Sequence, residues 1–119
     1  MVLVDTAIWV SHLKEGNAGL KALLDDGEVL CHPFIIGELA CGNLKNRDEI
    51  LSLLQSLPQA KVAGHDEVMN FIETHEMAGT GLGYVDVHLL ASALLSRSPL
   101  WTTDKSLSAT AQKLGIRYE

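Results

Sequence analysis

The chain has 119 residues, 47% of them apolar and 20% charged, with a formal net charge of −6. This length suits one domain, residues 1–119, with a real core, and the composition excludes a disordered chain. No apolar run approaches the roughly 20 residues of a membrane helix, no signal peptide is visible, and a cytoplasmic protein without a membrane partner is expected.

Taken in order, residues 2–4 read as a short buried strand. Asp5 or Thr6 then caps a helix with Ile8, Trp9, Val10 and Leu13 on its apolar side. Gly16 and Asn17 break it, and residues 18–24 form a second helix ending near Gly27. Residues 28–31 make a strand. Pro33 suits the first turn of a helix carrying Ile35, Ile36, Leu39 and Ala40, which Gly42 stops. Asp48 is expected to cap a helix through Leu57 with Ile50, Leu51, Leu53 and Leu54 on one face, ended by Pro58. Residues 60–63 suggest an edge strand and 65–77 a helix with Val68, Met69 and Ile72 at helical spacing. Glycines in 79–83 make a connector, and a strongly apolar helix covers 85–96. Residues 100–102 form a strand, Ser106 caps a last helix through Leu114, and 116–118 close the chain in extended form. Strands alternating with helices predict an α/β fold with a mainly parallel central sheet flanked by helices.

Four acids stand at the ends of these elements. Asp5 follows the first strand, Glu38 lies in the third helix, Asp86 opens the apolar helix and Asp104 follows the strand at Leu100. In such folds ligands collect at the carboxyl ends of strands, and carboxylates beside a core need compensating charge. Oxygen ligands of this kind bind Mg²⁺ or Mn²⁺. Each acid has a plainer role: Asp5 and Asp86 as helix caps, Asp104 as a turn residue. Glu38, between Ile36 and Leu39, is the costliest to leave unpaired. Together they point to a metal-dependent phosphodiester hydrolase.

Other candidates are weaker. Cys31 and Cys41 read as free, buried thiols; with His32 they lack familiar zinc spacing. The five histidines form no metalloprotease pair, the serines lack a nucleophile elbow, and the 79–83 glycines lack a P-loop ending. His88 is expected in a structural or surface role, Trp9 and Trp101 in the core or an interface. Lys45 and Arg47, just past the helix of Glu38, read by default as a solvated loop, with contact to phosphates as the alternative. A charge of −6 opposes nucleic-acid binding, although two divalent cations would bring it to −2.

At these residues the chain resembles the PIN-domain ribonucleases, and within them the VapC toxins of toxin–antitoxin pairs. The opening Val-Leu-Val-Asp-Thr-Ala-Ile-Trp-Val holds the first acid, Asp5, followed by Thr6. Glu38 is followed four residues later by Gly42; residues 83–93 resemble the third acidic motif; Thr102 precedes Asp104 by two residues as in the last. The motifs occur in order across almost the whole chain. Two positions depart: Thr103 stands where many relatives carry Arg or Asn, a contact Lys105 could supply, and Ser106 where some carry a further acid. Either one or two metal ions fit that pattern.

The resemblance implies that Asp5, Glu38, Asp86 and Asp104 bind Mg²⁺ or Mn²⁺ and cleave RNA, typically tRNA or other structured RNA. It implies that the Thr6 and Thr102 hydroxyls hold the carboxylates. It also implies a cognate VapB-like antitoxin whose C-terminal segment brings a basic side chain into the acidic site, and a homodimer or toxin–antitoxin hetero-oligomer. The faces around Ile8, Trp9 and residues 50–54 are candidate contact surfaces. A phospho-receiver would want an acidic pair at the first strand, and a haloacid-dehalogenase-type phosphatase a second Asp where Ala7 stands. A PIN-like module that binds RNA or a partner without cutting is the stronger alternative.

Overall fold

A computed structural model describes residues 1–119. Its centre is β1 (Val2–Val4), whose three residues are all buried, as a strand covered on both faces requires. Helices α1 (Thr6–Glu15) and α2 (Ala18–Asp25) lead to β2 (Val29–Leu30), parallel to β1 with Val2 opposite Val29. Then follow α3 (Pro33–Ala40), α4 (Arg47–Ser56), α5 (His65–Thr74) and α6 (Tyr84–Leu95). The chain returns as β3 (Leu100–Trp101) on the other side of β1, also parallel, and ends with α7 (Lys105–Lys113).

The strand order is β2-β1-β3. The chain therefore leaves β1 first to one side and later to the other, which opens a crevice where the carboxyl ends of β1 and β3 lie side by side. Single parallel bridges, Cys31 with Gln59 and Leu100 with Arg117, widen the sheet at both edges.

Twenty-four buried apolar residues form one core. Burying a side chain such as Leu3, Leu89 or Leu100 contributes about 2 kcal/mol each. Helix α6 is buried from Val87 through Ala93 and packs against α5 and β3. Such a helix has no polar face to present.

Several boundaries differ from expectation for local reasons. Asn46, in the left-handed conformation that Asn tolerates, starts α4 at Arg47; Asp48 sits inside its first turn and caps nothing. Only Leu54 on that helix is buried, Ile50 and Leu51 are half-buried, and Leu53 is 52% exposed. The predicted edge strand at 60–63 does not form. Ala60 donates to the Cys31 carbonyl, but the Lys61 amide turns to Ser96 Oγ at 2.9 Å.

Helix α5 stops at Thr74 rather than Met77. Glu76 takes a positive φ, and the Met77 amide reaches back to the Ile72 carbonyl at 2.9 Å. This is the closing turn that glycine usually supplies, which is why the sequence hides it. Met69 on α5 and Val10 on α1 are exposed, Ile36 is half-buried, and α7 is capped by Asp104 instead of Ser106.

Candidate active site

Each acid is delivered by its own element. The Asp5 amide donates to the Trp101 carbonyl at 2.9 Å, so the end of β1 is fastened to β3 before its side chain is placed. Its carboxylate is the N-cap of α1: Oδ1 accepts from the Thr6 amide at 2.8 Å and Oδ2 from the Thr102 hydroxyl at 2.7 Å. The Thr6 hydroxyl turns the other way and donates to Glu38 Oε1, again at 2.7 Å. Both threonine hydroxyls thus donate to carboxylates of this group.

Asp104 caps α7, with Oδ1 accepting from the Leu107 amide at 2.9 Å, while its own amide donates to Thr102 Oγ1 at 3.1 Å. Asp86 is the third residue of α6 and not its cap, which is Gly83. Its Oδ2 accepts from the Gly83 amide at 3.3 Å. Glu38 is exposed, so the burial cost expected of it is not incurred; it projects from α3 toward α1 and the cleft.

All four carboxylates line one open cleft of about 430 Å³ together with Thr6, Ala7 and Thr103. It lies at the crevice between β1 and β3. No basic side chain lines it, and Lys105 is exposed outside it. Ala7 had no chemical signal of its own beyond adjacency to Asp5, whereas Thr103 was marked by the resemblance as a departure from the Arg or Asn of many relatives.

The electrostatics follow from this crowding. Asp86 is half-buried, and loss of water raises its carboxyl above the usual aspartate range. The Gly83 N–H opposes the shift, and the charges of Asp5, Asp104 and Glu38 add to it. Lost hydration is thus the main reason the Asp86 carboxyl is raised, with the neighbouring carboxylates adding to it.

An all-carboxylate and hydroxyl donor set suits a hard cation. As the side chains stand, no three of them converge to the spacing of direct ligands on one ion. Each is tied back by its own hydrogen bond, as mutual repulsion demands. Mg²⁺ typically keeps several waters and takes only one or two carboxylates directly, so the residues present fit that ion with the others acting through water.

A second cleft of about 570 Å³ adjoins the first through Glu38. Leu13, Leu39, Leu44 and Ile50 give it an apolar floor, and Lys14 and Lys45 border it. Arg47 instead reaches the Gly42 carbonyl at 3.5 Å.

Two expectations need correction, and a third is narrowed. Ile8 and Trp9 are 3% and 2% exposed, so they belong to the core and not to a contact surface. Of the structural or surface role expected for His88, the structural one holds: it is buried against Phe34 and Tyr84. Cys31 is buried but Cys41 is exposed.

A profile of the PIN domain matches residues 2–113. Ribonuclease VapC32 of Mycobacterium tuberculosis, from strains CDC 1551 / Oshkosh and ATCC 25618 / H37Rv, is 46% identical over 117 residues, covering 98% of this chain and 94% of the relative. A chain of the FitAcB crystal structure from Neisseria gonorrhoeae superposes with a TM-score of 0.63 at 18% identity, covering 94% of each chain, a likeness of fold. With the family profile matching nearly the whole chain and 46% identity to a VapC ribonuclease, the chain belongs to the PIN-domain family, among its VapC-like ribonucleases.

Proposed function

We propose that this protein is the endoribonuclease toxin of a toxin–antitoxin pair, and that it hydrolyses phosphodiester bonds of tRNA or other structured RNA with Mg²⁺ or Mn²⁺ held by Asp5, Glu38, Asp86 and Asp104. The observation that carries this reading is the meeting of four carboxylates, from segments spread over the whole chain, in one open polar cleft. A bound divalent cation would lower the pKa of a water and offset charge gathering on the phosphoryl oxygens.

The chain's own part is positioning. Thr102 orients Asp5 through Oδ2, and Thr6 orients Glu38 through Oε1. Asp104 is held in the α7 cap and Asp86 at the start of α6, so the acids sit on rigid element ends instead of a loop tip. The cleft is open enough for a polymer strand to cross it. Without a basic lining it repels bare phosphate, which makes cleavage depend on the cation.

The same charge suits an inhibitor. An antitoxin segment with apolar side chains would lie in the cleft floored by Leu13, Leu39, Leu44 and Ile50, and a basic side chain from it would meet the carboxylates across Glu38. Charge complementarity and the sharing of Glu38 by both clefts support that placement. Activity of this kind belongs in the cytoplasm, and no helix is long and apolar enough to cross a membrane.

The deciding experiment incubates antitoxin-free protein with total cellular RNA in Mg²⁺, Mn²⁺ or EDTA, beside Asp86→Asn. Discrete fragments that require both the metal and Asp86 are expected and would name the target RNA. Absence of cleavage by folded, metal-supplied protein would shift the reading to a PIN-like module that binds RNA or a partner without cutting it.

A further inference from the structure

Nine residues of the chain are Lys or Arg, and most of them stand away from the carboxylates. Lys21 is paired with Asp25, Arg117 reaches Glu119, and Arg47 is turned to the Gly42 carbonyl. Of the nine, only Lys14 and Lys45 line either of the two adjoining clefts. Both are exposed, and neither is engaged in an ion pair.

The two lysines stand on a continuation of the carboxylate cleft. On α1, Thr6 lines the first cleft, and Val10, Leu13 and Lys14 line the second. These follow Thr6 by four, seven and eight residues, so they share one stripe of the helix. Lys14 lies about 12 Å beyond Thr6 along the helix axis. Across from it, Glu38 lines both clefts, and Lys45 comes from the segment between α3 and α4. The 2.7 Å bond from the Thr6 hydroxyl to Glu38 ties α1 to α3 where the two clefts meet.

The charge changes sign across Glu38. The first cleft holds four carboxylates and no cation, and the second holds two ammonium groups against Glu38 alone. An RNA strand brings a negative charge with every nucleotide, and its affinity for protein comes largely from neutralising those phosphates. A divalent ion among the carboxylates offsets the phosphate being cut, which leaves its neighbours along the strand to the protein. A strand that leaves the carboxylates across Glu38 meets Lys14 and Lys45 next. A lysine binds phosphate as a compact point charge on a flexible stem, so an exposed pair beside a cleft suits a sequence-independent hold.

We infer that Lys14 and Lys45 hold the RNA backbone beyond Glu38, each binding a phosphate within a few nucleotides of the scissile one. The inference rests on the ribonuclease reading of the carboxylate cleft and gives its substrate a direction, along α1 from Thr6 toward Lys14. The antitoxin segment placed over the same apolar floor would cover both lysines, so inhibitor and RNA would compete for them.

The test must separate a phosphate contact from a structural effect. In an Asp86→Asn background with Mg²⁺ present, binding of labelled bulk tRNA is measured between about 50 and about 200 mM salt. The series is the parent, K14Q, K45Q, both together, K14R with K45R, and K113Q, whose lysine is exposed on α7 and lines neither cleft. Each cleft lysine removed should lower the slope of log affinity against log salt by about 0.7 to 0.9. The double glutamine variant should lose affinity on the order of tenfold at the low-salt end. The arginine pair, which keeps the charge, should stay within about twofold of the parent, and K113Q should match it. A double glutamine variant with the parent's slope would leave the cleft to the antitoxin alone and overturn the inference. An equal loss in K113Q, failure of the arginine pair to restore binding, or no tRNA binding by the parent would do the same. Melting curves of all variants should coincide, since the side chains changed are exposed.

The two readings fail separately. Wild-type protein that cuts no RNA, with the expected lysine series, removes the nuclease and keeps the phosphate hold. Intact cleavage with a flat series removes the hold alone.

Discussion

The Thr102 hydroxyl donates to Asp5 Oδ2 at 2.7 Å, joining the ends of β1 and β3 across 97 residues of chain. The same oxygen, Thr102 Oγ1, accepts from the Asp104 amide at 3.1 Å, so one side chain sets two of the four acids. Thr102→Val keeps the shape and removes both bonds. RNA cleavage should fall about 10- to 100-fold, the usual effect of freeing a ligand from its support, while stability changes by only about 1 kcal/mol. Initial rates across a Mn²⁺ titration, beside urea denaturation, would check this; an unchanged rate would remove Thr102 from the site.

Asp86 gives a prediction with a definite sign. Its folded carboxyl is raised, mainly by lost hydration, so the folded state binds this proton more readily than the unfolded one. Stability then falls as pH rises from the ordinary aspartate range through the raised value, and the penalty is fully present at neutral pH. Asp86→Asn should abolish cleavage and yet be at least as stable as the parent at pH 7 without metal. The two should converge at a pH low enough to protonate Asp86 in both states. Denaturant midpoints at several pH values measure the difference, and a destabilised Asn variant at pH 7 would contradict the crowding described.

His32 behaves oppositely. It is fully buried, its Nδ1 caps α3 by accepting from the Phe34 amide, and its Nε2 lies 3.0 Å from Ser92 Oγ. Burial first, and the nearby His88 second, push its pKa from 6.5 down to about 4. The unfolded state therefore binds the proton first. The stability this histidine contributes is complete above pH 6.5 and is lost as pH falls toward 4, on the order of 3 kcal/mol in all. His32→Asn keeps a capping acceptor and removes the titration, so its stability should vary less over that window. Parallel slopes for the two proteins would exclude His32 as the cause.

The two thiols should react at different rates. Cys31 is buried, and burial pushes its thiol up to about 11, whereas Cys41 is exposed at the end of α3. A thiolate reagent at pH 8 should modify one cysteine rapidly in the folded protein and the second only on unfolding. Intact mass before and after denaturant reads this directly; two fast thiols would mean that β2 opens in the native state.

Much of the site was readable because its parts are local. A buried apolar triplet followed by Asp-Thr, a Thr two residues before an Asp, and an acid at the start of an apolar helix all announce element ends. Asp5, Asp104 and Asp86 were read from such patterns, whereas Glu38 stood out only as an acid inside an apolar helix; the alternation of strands and helices implied the parallel sheet. The errors also have local causes. Glu76 adopts a left-handed turn that glycine usually makes, and Asn46 leads into α4 in the left-handed conformation without a side-chain cap, so the end of α5 and the start of α4 were misplaced. The stretch from residue 60 had the composition of a strand, but Ser96 captured its next free amide.

What the chain alone determined is therefore which groups are available and at which element ends they stand, since caps, strands and turns depend on neighbours a few residues apart. Tertiary structure decided which groups meet. It placed the Thr6 hydroxyl on Glu38 and the Thr102 hydroxyl on Asp5, buried His32 and His88, and left Cys41, Glu38 and Tyr84 exposed. Those outcomes depend on the β2-β1-β3 order and on how α3 and α6 pack beside it, and burial and charge crowding exist only after distant segments have come together.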